Sequence, residues 1–147
     1  MTPSEKAHAD ILARLHELDR AIAHHSQWLA RLNRQLICGG NTIPDDLNGD
    51  AHLRCPLGHW LHGAEHDRSN QDPGLEVAHQ SMHEIARHLL NAQTANQPIP
   101  GADYDALVAV ASRIRQLLRR KEQELTERLG AVDKLTGLWN RQAVHLR

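Results

Sequence analysis

Isoleucine or leucine occupies positions 11, 15, 18, 22, 29, 32 and 36, stepping by alternating fours and threes, with His25 in the one polar slot of the series. Such a seam belongs to a helix packed along one face, and it predicts a helix over residues 4–37. Cys38-Gly39-Gly40-Asn41 supplies suitable residues for its end. Gly, Asn, Asp and Pro are dense across residues 39–54, which predicts a loop. A short helix is expected from Cys55, because Pro56 suits a first helical position, with Gly63 closing it. Loop is expected again over residues 67–74, and Asp72-Pro73 opens a helix over residues 75–95 with Leu75, His79, Met82, Ala86 and Leu89/Leu90 on one face. Two prolines in residues 96–101 make the next turn.

The last predicted helix starts near Asp103. Its stripe of Leu107, Val110/Ala111, Ile114, Leu117/Leu118, Leu125, Leu129 and Val132 continues beyond the length of a compact bundle, and residues 119–128 are dense in charge. A solvated or coiled-coil extension is expected there, broken at Gly130. The fold class expected is all-α: an antiparallel four-helix bundle of three long helices and one short Cys-bearing helix.

Composition agrees with helices. Phe is absent and aromatics are 3% of the 147 residues, so Leu and Ala must fill the core. A net charge of −1 gives no basis for electrostatic capture of nucleic acid or an anionic membrane. No apolar run approaches a bilayer span, and the polar N-terminal pattern is not a signal core, so a cytoplasmic protein is expected. Two cysteines, Cys38 and Cys55, make no disulfide framework.

Twelve histidines are the compositional outlier. His25 faces the core while His24 is one step off the seam. Burying an imidazole there requires partners for its nitrogens, and a hydrogen-bonded core histidine and a metal ligand are equally open. His79 and His83 are four apart on one helix, so their rings can converge on an ion. His62 and His66 have the same spacing, and roughly one such pair arises by chance at this density. Spacing alone does not rank them, although His79 lies on the apolar stripe. Cys55 at a helix start has the N-terminal dipole to favour its thiolate. Gly58 removes a Cβ where another helix could approach, and Trp60 anchors the short helix. Cys38 has no matching histidine. One thiolate and three imidazoles, His25, Cys55, His79 and His83, would make a closed tetrahedral zinc set with no open position for catalysis. His79-Gln80-Ser81-Met82-His83 also lacks the internal Glu of a zincin.

In combination, Ala21-Ile22-x-x-His25-x-Gln27-Trp28-Leu29, Cys55-x-x-Gly58-x-Trp60-Leu61 and His79-x-x-x-His83 resemble, in this order, the chemoreceptor zinc-binding (CZB) domain over residues 5–130. The resemblance implies His25, Cys55, His79 and His83 as Zn2+ ligands, choosing His25 over His24 and His79/His83 over His62/His66. Asp133-Lys134-Leu135-Thr136-Gly137-Leu138-Trp139-Asn140-Arg141 resembles the opening of a GGDEF diguanylate cyclase domain. Two units are therefore expected: a zinc-sensing domain with its signalling helix over residues 1–130, and the start of a cyclase domain over residues 131–147. The phosphate-binding loop, the GGDEF signature and the metal carboxylates of a cyclase are missing, so this chain is not expected to be an enzyme itself.

The resemblance implies a homodimer in which zinc allosterically inhibits an attached cyclase that makes cyclic di-GMP. A rival from another sensing class is a hypochlorous acid sensor acting through zinc-bound Cys55, since chemoreceptor relatives sense such oxidants. The plain alternative is a dimerising helical bundle with hydrogen-bonded histidines and no metal. His52, His59, His62 and His66 add imidazoles around Cys55, expected to be solvent-exposed, with a second metal as the other possibility.

Overall fold

A computed structural model describes residues 2–62 and 72–145, with side chains at 2–61 and 72–135. The described residues contain five helices and no strand: α1 (Pro3–Cys38), α2 (Ala51–Arg54), α3 (Pro56–His62), α4 (Pro73–Thr94) and α5 (Gly101–His145), with a 3₁₀ turn at Pro44–Leu47. The all-α expectation holds.

Local chemistry sets the helix ends. Thr2 caps α1 by accepting from the Glu5 N–H, while the Glu5 carboxylate accepts from the Thr2 N–H, a reciprocal capping box. Gly39, at φ +76°, ends α1 in a backbone region that L side chains rarely adopt. Asp72 caps α4 by accepting from the Leu75 N–H, and Pro73 occupies the first turn. Asn96, at φ +54°, follows the end of α4.

α5 packs along both α1 and α4. Tyr104 at the start of α5 donates to Asn33 near the end of α1, and His8 near the start of α1 meets Asp133 far along α5, so these two helices run antiparallel. His88 of α4 pairs with Asp103 of α5. α1 and α4 run parallel: His25 lies beside His79 and His83, and Gln93 donates to the Gln35 carbonyl further along. α3 lies against α1, and α2 against α4. The core is leucine-rich, with Leu18, Leu57, Leu75, Leu89, Leu107 and Leu125 among its fully buried members. The seam on α1 is shifted half a step. Ala21 and Trp28 are buried, while Ile22 and Leu29 are only partly covered along the groove between α1 and α5.

Two expectations need correction. Residues 39–54 are not all loop: the 3₁₀ turn and α2 form there, and Ala51 is buried. Such short elements gain their stability from packing, not from local propensity. Gly130 does not break the last helix, which continues to His145. One glycine in a helix interior costs about 1 kcal/mol, too little to end a helix of this length. The expected closure at Gly63 and the loop from Asp67 lie outside the described residues.

Candidate metal centre

Three elements meet at the site. Ile22, His25 and Leu29 follow one another on α1, but only His25 turns fully into the core, 7% exposed. α4 presents His79 and His83 one turn apart, 0% and 4% exposed. The elbow between α2 and α3 presents Cys55, half-buried. Cys55 has an extended backbone, φ −72° and ψ 155°, and its sulfur accepts from the Gly58 N–H at 3.3 Å. It thereby caps α3 as an oxygen would cap an ordinary helix start. The elbow is tight at Gly58, where a Cβ would lie 1.8 Å from the His52 carbonyl oxygen.

The donor atoms converge. One ring nitrogen from each of His25, His79 and His83 lies within 4.8 Å of the others. His79 Nε2 is 3.2 Å from His83 Nε2 and 3.1 Å from Cys55 Sγ. In a tetrahedral zinc site, bonds of about 2.0–2.1 Å to nitrogen and 2.3 Å to sulfur put donors about 3.3 Å (N···N) and 3.6 Å (N···S) apart. The His79–His83 separation is close to the first value, the His79–Cys55 separation is shorter than the second, and the His25 nitrogen lies within 4.8 Å of the other two. His25 Nε2 is buried with no hydrogen-bond partner among the described residues. A hydrogen-bonded core histidine would not leave it so, since an unpaired buried polar atom is costly. The donor set therefore fits a zinc ion.

Burial also sets the protonation. It holds His25 down to about 4, and His83 to about 3 with the neighbouring His25 and His52 adding to the fall. Both rings are thus neutral at neutral pH, the form a metal requires. Burial pushes the Cys55 thiol up from its ordinary value; the Gly58 and Leu57 N–H groups pull it down, and Asp46 adds to the rise. The expected helix-start stabilisation of the thiolate is therefore present but outweighed by desolvation.

Trp28, a member of the α1 motif, also borders the site. Its ring lies 4.4 Å from that of His83 and 5.5 Å from that of His25, and its indole N–H donates to Asp46 at 2.9 Å. A groove of about 450 Å³ leads to the site between Trp28, Asp46, Arg54 and Cys55, with His25 and His83 in its lining. His24 lines this groove from its exposed position, as its place off the seam predicted. His59 is exposed as expected, whereas His52 is half-buried. The side chains of His62 and His66 lie outside the described residues. Cys38 is exposed at the end of α1, away from the site.

Residues 25–90 match the family model of the chemoreceptor zinc-binding domain. The matched span includes all four of His25, Cys55, His79 and His83, and it supports a CZB domain built around this cluster. No curated protein and no solved structure matches the chain. Among the described residues no helix is long and apolar enough to cross a membrane.

Proposed function

We propose that this chain is a cytoplasmic zinc-sensing regulatory module that acts as a homodimer on a diguanylate cyclase domain attached in cis. The observation that carries the reading is the convergence of three buried imidazoles, with the Cys55 sulfur 3.1 Å from the Nε2 of His79. His25, Cys55, His79 and His83 would hold Zn2+, which supplies charge neutralisation of the thiolate and a tie between separate elements. His25 fixes α1, Cys55 the α2–α3 elbow and His79/His83 α4, so occupancy favours one packing of these elements over looser ones. α5 rests on both α1 and α4 and runs on through the cyclase-like residues 133–141, which gives a change of packing a path outward.

The first test is metal content. Protein purified without added metal is expected to hold one zinc per chain, and the His25→Ala, Cys55→Ala, His79→Ala and His83→Ala variants much less. In the cyclase-bearing protein, Cys55→Ala should raise cyclic di-GMP synthesis and blunt its inhibition by zinc. Unchanged activity together with an unchanged zinc response rejects the regulatory reading.

The open groove beside Cys55 favours a second reading, an oxidant sensor. The thiolate would attack hypochlorous acid at chlorine or oxygen, ending as a sulfenic acid with chloride released, and an oxidised sulfur is a poorer ligand. Zinc release and Cys55 oxidation on hypochlorous acid treatment measure it; an inert Cys55 leaves the metal reading alone.

A further inference from the structure

We propose that Asp46 is a positioning residue of the metal centre, acting through Trp28 to fix the rings of His83 and His25. This inference rests on the zinc reading above and goes beyond it to a group that is not a ligand. Trp28 is 7% exposed, and its indole lies tilted by 38° against His83 at 4.4 Å, within the range of favourable aromatic contact. The same indole reaches His25 at 5.5 Å. One rigid side chain therefore backs two donors from two different helices.

A buried indole needs a partner for its N–H, and the partner here is Asp46 Oδ1 at 2.9 Å. Asp46 belongs to the 3₁₀ turn Pro44–Leu47, eighteen residues further along the chain. The bond thus pins that turn onto α1 at the mouth of the groove that leads to Cys55. Groups behind metal ligands hold ring orientation, and losing one typically weakens metal binding by about 10–100-fold. In most such centres a carboxylate acts directly on a ligating imidazole; here it acts through an intervening indole.

Charge and hydrogen bond are separable. Asp46 is a negative charge near the site, a counter-charge for a bound divalent cation, and it is also the acceptor that holds the Trp28 indole. Asp46→Asn keeps an acceptor oxygen and removes the charge, while Asp46→Ala removes both.

The test is competition for zinc against a chromophoric chelator on the whole chain, with the absorption spectrum of the cobalt-substituted protein as a geometric readout. Asp46→Ala and Trp28→Phe are expected to lower zinc affinity roughly 10-fold or more and to alter the cobalt bands, with Asp46→Asn restoring both. The inference is overturned if Asp46→Ala binds zinc as tightly as the parent with an unchanged cobalt spectrum, or if Asp46→Asn falls as far as Asp46→Ala. Helical circular dichroism of the metal-free variants confirms that they fold. If Asp46→Ala does not fold, Trp28→Phe, which keeps a smaller aromatic ring and loses the N–H, carries the test. If the parent itself takes up no zinc, the functional reading fails before this one is reached.

Discussion

At the scale of single residues, Gly58 governs how Cys55 is presented. Its missing Cβ lets the His52 carbonyl approach, and its N–H caps the sulfur. Gly58→Ala drives a methyl group into the His52 carbonyl, a cost of about 1–3 kcal/mol by the usual scale of overpacking, and it opens the elbow that aims the thiol. We expect a lower denaturant midpoint and weaker zinc binding together. A Gly58→Ala protein with the parent's midpoint and affinity would show that the elbow has slack. Much of this site was legible in the chain. The seam placed His25 inward and His24 outward, and Cys-x-x-Gly signalled a close approach. The Trp28–Asp46 bond was not legible, because nothing in a sequence pairs an indole on a helix with a carboxylate in a distant turn. The available signal was weaker: a tryptophan beside the seam whose N–H must find an acceptor somewhere.

At the scale of elements, long periodic helices were readable and short ones were not. α1 and α4 agree with their predicted spans to within two residues at each end, because apolar periodicity and the Thr2, Gly39 and Asp72 ends act locally. α2 and the 3₁₀ turn were not legible because Pro, Asp, Asn and Gly crowd residues 44–50, each element is only four residues long, and their packing on α3 and α4 is a tertiary fact. Gly130 misled in the opposite direction. A Cβ there would meet nothing within 4 Å, and the helix simply carries the glycine. Replacing it should therefore remove backbone freedom from the unfolded chain without a clash. Gly130→Ala is expected to stabilise α5 by about 0.4–1 kcal/mol, read as a higher helical content or unfolding midpoint of the extension. A destabilised Gly130→Ala would mean that the glycine is needed for a bend.

At the scale of the whole molecule, the metal-free fold carries buried imidazoles at its centre, and this gives its stability a definite pH dependence. His25 titrates at about 4 in the fold against 6.5 when free, and His83 at about 3. Between those limits the unfolded chain binds protons that the native chain does not, so stability falls as pH drops through 6.5 and reaches its full loss below about 3. For His25 alone the shift corresponds to about 3 kcal/mol, a large share of the roughly 5–15 kcal/mol that holds a domain together. The Cys55 thiol has the opposite limb. Its folded value is raised above 9.0, so the unfolded chain ionises first and stability declines as pH rises past that point. The metal-free protein should thus be most stable between about pH 6.5 and 9, and the window from 6.5 to 5 is diagnostic because ordinary carboxylates stay ionised there. Urea midpoints of chelator-treated protein should fall steadily across that window, and His25→Leu should flatten part of the slope. A flat profile in the parent chain would mean that the imidazoles are not buried without metal, and that the elements around them come together only when the ion does.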